Sequence, residues 1–248
     1  PFDVNVTNDR SVYNSTSIYK RVMCISTPTD TASPGSGGVA YVNSFRDDLV
    51  CWDFNLDGDT ISHEVGHTLN LDHHGDSSQN APEYHNGHSS ESREWGPIMG
   101  SAFEASMVQW SDGNYTSATN SNQDDLYLIT SYGLSYRADD YGNDSATGEN
   151  VSISNMPATR YGIIERNTDI DVFNVTYSSL GKVQVAGTGR EGAQSNLDIN
   201  MSILDSDGII VYTQTSDASD DAITELVLEP GSYQIRVQGD SSGNPNGN

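Results

Sequence analysis

The sequence predicts an α+β fold, with a mixed sheet and one site-bearing helix followed by an antiparallel β-sandwich domain. Three observations predict it. The 248 residues fit one large domain or two modest ones. The first half has one clear helical stretch among short apolar runs. After about Tyr136 the chain becomes a series of short alternating runs broken by Gly, Asn and Asp. We therefore predict domains at 1–135 and 136–248.

The first domain is predicted to hold four strands and two helices. Apolar runs, some of them alternating, place strands at 2–7, 19–26, 39–42 and 49–54 and helices at about 60–69 and 122–131. Asp124 and Asp125 suit the start of the second helix. In the second domain, alternation predicts strands around 171–175, 182–185, 199–204, 209–213 and 233–237, and 136–156 is predicted to hold the connection and a first strand. This spacing is typical of a sandwich.

The charge excludes some partners. Eleven Lys and Arg stand against 35 Asp and Glu, which gives a net charge of −24. Such a chain repels nucleic acid and anionic membranes, so neither is expected as a partner. No apolar run is long enough to span a membrane. The acids are spread along the chain beside Gly, Ser and Asn, and two interpretations stay open: a solvated acidic surface, or Asp clusters that hold Ca²⁺.

The two cysteines lie in short apolar runs that are predicted to form strands. Cys24 and Cys51 are the only cysteines of the chain. An even count in a chain of extracellular composition favours a disulfide between neighbouring strands. The alternative is a pair of buried thiols.

The strongest chemical signal is a cluster of histidines on the predicted helix. His63 and His67 are one helical turn apart, so both imidazoles can reach one metal ion. Glu64 lies on the adjacent flank and can deprotonate a metal-bound water without being a ligand. His73 can be the third ligand if the chain turns sharply after Leu69. Asn70 suits that turn because Asn tolerates the left-handed conformation at a helix end.

These residues resemble the metzincin zinc endopeptidases, whose signature H-E-x-x-H-x-x-G-x-x-H is followed by a methionine turn. Pro97-Ile98-Met99-Gly100 is similar to that turn, in which Met99 would support the histidines without ligating zinc. Softer likeness to the reprolysin-like secreted bacterial members lies at 37–42, 50–52, 109–111 and 123–126. The resemblance covers about residues 2–135.

The resemblance implies a secreted, extracellular enzyme with a metzincin-like mixed sheet that cleaves protein or peptide substrates. Zinc would be held by His63, His67 and His73, and a zinc-bound water activated by Glu64 would attack the peptide bond. Met99 would support the site from the methionine turn. A non-catalytic zinc scaffold is the alternative, although a structural zinc site has no use for Glu64.

Three departures from the family pattern stand out. Asn70 replaces the usual Gly, and His74 replaces an Asp that anchors the methionine-turn region. Family domains also begin with a strand and a long helix before the strand predicted at residue 2. We therefore expect that the catalytic domain is either cropped at its front or associated with a cleaved-off N-terminal segment.

A second motif overlaps the first. The string from Asp53 through Asn55, Asp57 and Gly58 to Glu64 matches an EF-hand calcium loop. Glu64 cannot be both a calcium ligand and a base facing zinc, and a strand is predicted where an EF-hand needs a helix. The zinc interpretation is favoured, and a looser calcium site or a solvated turn that leaves out Glu64 stays open.

The second domain resembles the pre-peptidase C-terminal type of β-sandwich found on secreted bacterial proteases. The likeness lies at 169–173, 195–198 and 229–233. It implies a role in secretion, substrate attachment or processing, and calcium binding in some members. Asp169, Asp171 and Asp198 are the candidate Ca²⁺ ligands. A calcium-dependent binding module without peptidase activity is the alternative function for the whole chain.

Overall fold

The computed structural model describes residues 2, 4–90, 93–101, 105, 107–153, 157–189, 197, 199–215 and 222–239. The chain folds as two compact units, the first spanning Phe2–Tyr136 and the second beginning at Arg137. Each unit has its own sheets.

The described part of the chain is mostly β. Its three helices are short: α1 (Arg10–Ser15), α2 (Gly58–Thr68) and α3 (Asp125–Ser131), with a 3₁₀ turn at Ile18–Lys20. The predicted fold class, an α+β metzincin-like mixed sheet with an active-site helix, is therefore wrong. With 34% apolar residues and 23 Gly, the chain has few stretches that could bury a long helix or a wide sheet. None of the described helices has the length and apolar character needed to cross a bilayer.

The first unit contains two small sheets. One has the order β1-β3-β2, with β1 (Met23–Ser26) parallel and β2 (Gly38–Val39) antiparallel to the central β3 (Val50–Asp53). The other has the order β4-β5-β6 and is built from β4 (His88–Ser90), β5 (Arg93–Pro97) and β6 (Met107–Gln109). No sheet of the first unit exceeds three strands among the residues described.

Several predicted strands of this unit are shorter than expected, and one is wrong. Residues 4–9 form no strand, and Val4 and Val6 are 78% and 89% exposed. Among the residues described, no strand pairs with this segment to bury its apolar face, so the pattern alone does not make a strand. The predicted strand at 39–42 is reduced to β2, and the chain then turns through Asn43 at φ 63°.

The segment that carries the histidines is well defined by its ends. Asp57 caps α2 by accepting a hydrogen bond from the Thr60 backbone N–H at 2.7 Å. Past the helix, Asn70 adopts φ 68°, and Leu71 N–H donates to the Gly66 carbonyl at 3.1 Å. The prediction of a left-handed Asn70 is thus confirmed, and the turn carries the chain back towards the helix.

The core of the first unit lies against the end of α2. It joins Phe45, Leu69, Leu71, Met99 and Ile129, all buried. Gly66 allows the Met99 side chain to approach α2 closely, because an added Cβ at Gly66 would lie 2.5 Å from the sulfur of Met99. The methionine therefore packs directly against the helix that carries His63 and His67.

The second unit is built from two sheets. A five-stranded sheet has the order β11-β10-β13-β8-β7, and β12 pairs with β9. The strands are β7 (Glu149–Asn150), β8 (Ile170–Tyr177), β9 (Gly181–Gly187), β10 (Ile199–Leu204), β11 (Ile210–Thr215), β12 (Ala222–Leu228) and β13 (Gly231–Gly239). All pairs are antiparallel except β7 with β8.

Side chains from both sheets form the core of the second unit. Ile199 and Met201 of β10 pack with Ala222 of β12, and Val185 of β9 and Val237 of β13 join them. The arrangement is sandwich-like. The runs predicted at 171–175, 182–185, 199–204, 209–213 and 233–237 all fall on strands of this unit, apart from Ile209 at the edge of β11.

Candidate metal centre

Three histidines meet at the end of α2. His63 and His67 lie on α2, and His73 follows the turn at Asn70. One ring nitrogen of each lies within 4.8 Å of the others. The ring centroids are 4.7–5.2 Å apart. The structure thus brings together the three residues that the sequence singled out as metal ligands.

The Nδ1 atom of each imidazole is occupied by a hydrogen bond. Nδ1 of His63 donates to the Ile98 carbonyl and Nδ1 of His67 to the Leu71 carbonyl, both at 2.8 Å. Nδ1 of His73 lies 3.0 Å from a carboxylate oxygen of Glu83. Because all three partners are acceptors, each Nδ1 carries the proton and each Nε2 is left with a lone pair. This is how histidine ligands are usually oriented from their far side.

Two of these lone pairs face each other. Nε2 of His67 and Nε2 of His73 are 3.0 Å apart. A shared proton would require a charged imidazolium, but burial lowers the pKa of both residues. Burial, followed by the charge of His67, lowers the pKa of His63 to about 3. Two nitrogens at zinc distance in tetrahedral geometry are about 3.3 Å apart, so the donor set fits a cation placed between neutral imidazoles.

Glu64 follows His63 on α2 and is 5% exposed. Its Oε2 is buried and has no hydrogen-bond partner. Burial, and then the charge of Asp53, raises the pKa of Glu64 to about 7. Gly38 of β2 makes room for the carboxylate, since an added Cβ there would lie 2.5 Å from Oε1. A carboxylate with a pKa near neutral is suited to taking up and releasing a proton.

The segment around Met99 packs against the helix that carries His63 and His67. Met99 is fully buried at 0% exposure, in a turn closed by a bond from Gly100 N–H to the Pro97 carbonyl. The Met99 carbonyl accepts from His74 N–H at 2.9 Å. The His74 side chain is engaged elsewhere, since its Nε2 donates to buried Asp125 at 3.0 Å. His74 therefore anchors this region and is not a competing ligand.

The residues of the overlapping calcium motif have other roles. Asp53 accepts from Leu56 N–H at 2.8 Å and from the Ser26 hydroxyl at 2.7 Å. Asp57 caps α2. The loop before Glu64 thus follows a strand, as expected, and the helix that an EF-hand needs in front of Asp53 is replaced by β3.

The predicted partners of the disulfide are neighbours without a bond. Cys24 of β1 and Cys51 of β3 are directly opposite in the parallel ladder. Both are free thiols in this structure. The Cys51 thiol donates to the Met23 carbonyl at 3.6 Å. The expected strand neighbourhood is found, and the expected disulfide is not.

A second cluster of possible metal ligands lies in the second unit. Oxygens of Asp139, Asp169 and Asp171 lie within 4.8 Å of one another. Asp171 is 4% exposed, and its Oδ1 has no hydrogen-bond partner. Burial and then the charge of Asp140 raise its pKa to about 8. Asp198, the third residue proposed from sequence, lies outside the described residues.

A further carboxylate crowds this second cluster. Glu165 is 4% exposed, its Oε1 is unpartnered, and its backbone N–H donates to Asp169 at 3.1 Å. Burial, followed by the contact with Asp169, raises the pKa of Glu165 to about 7.

Sequence reasoning missed four residues of the two clusters: Glu83, Tyr84, Asp139 and Glu165. The Tyr84 ring lies 4.1 Å from the His73 ring, centroid to centroid. No local pattern marks these positions, because each reaches its cluster across a loop.

Comparisons with known proteins identify no family for this chain. No protein-family profile matches the chain, and no curated protein matches it. Part of the chain is similar to the 1.0 Å crystal structure of the pre-peptidase C-terminal domain of collagenase from Bacillus anthracis, with 12% identity and a TM-score of 0.28. The match covers 43% of this chain and 89% of that one. The resemblance to metzincins therefore rests on the motif residues alone.

Proposed function

We propose that this chain is a secreted zinc-dependent endopeptidase that acts on protein or peptide substrates. One observation carries the proposal: three histidines bring one ring nitrogen each within 4.8 Å of one another, hydrogen bonds at each Nδ1 leave Nε2 unprotonated, and Glu64, next to His63 on α2, has a buried carboxylate oxygen without a partner. Three neutral nitrogen ligands from the protein are typical of catalytic zinc sites, in which water or substrate takes the fourth position. A purely structural site would be closed by a fourth protein ligand.

The residues of the site would have different roles in hydrolysis. His63, His67 and His73 would hold zinc, which supplies Lewis acidity that polarises a carbonyl and acidifies water. Glu64 accepts the proton of the attacking water and passes it to the leaving amine. Its desolvated carboxylate, with the pKa raised to about 7, suits both steps near neutral pH. Met99 keeps the helix and the histidines in place by packing under Gly66.

The test is a comparison of Glu64→Ala with the wild type. We expect the variant to bind zinc as the wild type does but to lose casein hydrolysis by roughly 10²- to 10⁴-fold, because only the base is removed. Glu229→Ala, which removes an exposed carboxylate of the second unit, serves as the control and should keep full activity. Near-normal proteolysis by Glu64→Ala would contradict the assignment of the base.

A zinc chelator distinguishes the enzyme from the remaining alternative, a non-catalytic zinc scaffold. Loss of casein hydrolysis on chelation, with recovery on adding zinc, supports the enzyme. A wild-type chain that binds zinc but cleaves no protein would instead favour a zinc-bearing scaffold.

We also propose that the second unit binds Ca²⁺ through Asp139, Asp169 and Asp171. Two buried carboxylate oxygens without partners, Oδ1 of Asp171 and Oε1 of Glu165, support this proposal. Carboxylate oxygens are the ligands that hard cations prefer, and a divalent cation would relieve the repulsion among these acids. Calcium would then stabilise the second unit without taking part in hydrolysis.

A further inference from the structure

His73 is the one ligand of the cluster that no helix supports. His63 and His67 project from α2, whereas His73 lies in the irregular segment that follows the turn at Asn70. The backbone on both sides of His73 is held. Gln123 exchanges two hydrogen bonds with the backbone of Asp72, at 2.9 Å each, and His74 N–H is bound by the Met99 carbonyl. These bonds fix the position of the main chain but leave the His73 ring free to rotate about its side-chain bonds.

Two consecutive side chains hold the ring itself. The Tyr84 ring packs against His73 with centroids 4.1 Å apart, and a Glu83 oxygen lies 3.0 Å from Nδ1. The ring contact limits rotation, and the carboxylate selects the tautomer whose Nε2 faces the other histidines. Both residues come from a segment outside the histidine motif.

The partner of His73 also differs in kind from the other two. His63 and His67 donate to backbone carbonyls, which carry no net charge and cannot be removed by substitution. Glu83 is a carboxylate, so it adds a negative charge behind the ring. A carboxylate in this position raises the basicity of a histidine ligand and strengthens its bond to a metal.

The Glu83 carboxylate does little for folding. Its side chain is 68% exposed, and exposed ion pairs contribute little to stability. A buried structural role is therefore excluded, and what the contact does change is the orientation and charge of His73.

We propose that Glu83 is a positioning residue that sets the zinc affinity of the site through His73. The inference rests on the proposed zinc site and deepens it, because it makes affinity depend on a residue outside the histidine motif. Removing the carboxylate leaves all three ligands in the chain but releases one of them from its orientation.

The experiment measures the zinc dissociation constant of the full chain by competition with a chromogenic chelator. We expect Glu83→Ala to weaken zinc binding roughly 10- to 100-fold, the range for partners behind metal-ligating histidines. Glu83→Gln keeps an acceptor but loses the charge, so its loss should be smaller. Glu229→Gln makes the same change of charge on the second unit and should leave the affinity unchanged.

Cobalt provides a readout that a change in stability alone would not move. With Co²⁺ in place of zinc, Glu83→Ala should alter the visible absorption spectrum, because the geometry of the His73 ligand changes. The thermal midpoint of the metal-free variant should match that of the wild type.

The outcomes distinguish two failures. A wild-type chain that binds no zinc would overturn the proposed function and this inference together. A wild type that binds zinc, with Glu83→Ala equal to it in zinc affinity and in cobalt spectrum, would overturn this inference alone.

Discussion

The two clusters of possible metal ligands differ in how their side chains are held. In the first unit, His63, His67 and His73 are neutral, and a hydrogen bond on the far side of each ring fixes its direction. In the second unit, Asp169 and Asp171 are crowded by like charges, and buried oxygens stay without partners. Hydrogen bonds thus organise the first cluster, whereas the carboxylates of the second repel one another.

This difference implies different ions. Nitrogen ligands of fixed direction suit a small borderline cation such as zinc, which takes few ligands at defined angles. Carboxylates suit Ca²⁺, which accepts many oxygens in flexible geometry. The two units should therefore respond to metals independently.

The largest effect is expected from removing a histidine ligand. His67→Ala should weaken zinc binding by more than the roughly 10- to 100-fold that is typical of changes behind a ligand. Measured zinc content after dialysis would show the loss. Asp171→Asn is the matched control from the other cluster, and it should retain a full equivalent of zinc. Equal zinc loss in both variants would break the contrast between the units.

Met99 tests whether the first cluster is organised by packing. The side chain is fully buried under Gly66, so Met99→Ala should lower the free energy of unfolding by about 2–5 kcal/mol through the cavity it leaves. Met99→Leu nearly conserves volume and should cost less than about 1.5 kcal/mol. Urea denaturation of the metal-free chain measures both. A negligible cost for Met99→Ala would mean that the site does not depend on this support.

Calcium should stabilise only the second unit. At a Ca²⁺ concentration about 100 times the dissociation constant, mass action contributes about 2.7 kcal/mol to the stability of that unit. Differential scanning calorimetry should then show one transition rising by several degrees. Asp171→Asn should abolish the shift, because it removes the negative charge and one oxygen of the buried carboxylate. A shift that survives this substitution would place calcium elsewhere.

The residues of the histidine cluster could be predicted because their spacing is local. His63, Glu64 and His67 belong to one helix, and the capped ends of α2 are encoded by Asp57 and Asn70 beside it. Strands β8, β9, β10, β11 and β13 of the second unit were also predictable, and apolar residues of β9, β10 and β13 are packed between two sheets, whereas β12 was not predicted. Local patterns therefore suffice to predict structure where both partners of a contact lie close in sequence, or where an alternating segment pairs with neighbouring strands in a sheet.

The rest depends on partners that are distant in sequence. The alternation at 2–7 resembles that of a real strand, but no sheet in the described part of the chain pairs with it, and Val4 and Val6 are exposed. The fold class was wrong for a related reason, because a short motif does not determine how many strands surround it. Glu83 lies near His73 only because the loop between them folds back towards the histidine cluster. No spacing rule encodes such a return.

The smallest effect concerns the turn that delivers His73 to the cluster. Asn70 has φ 68°, a conformation that costs a residue with an ordinary Cβ roughly 1–2 kcal/mol. Asn70→Ala should therefore destabilise the first unit by about 1 kcal/mol, whereas Asn70→Gly should be neutral or slightly stabilising. Both unfolding and zinc affinity should follow this order, since strain in the turn displaces His73 from its partners. Calcium stabilisation of the second unit should be the same in both variants. If Ala and Gly proved equivalent, the turn would not constrain His73, and Glu83 and Tyr84 would be left as its main restraints.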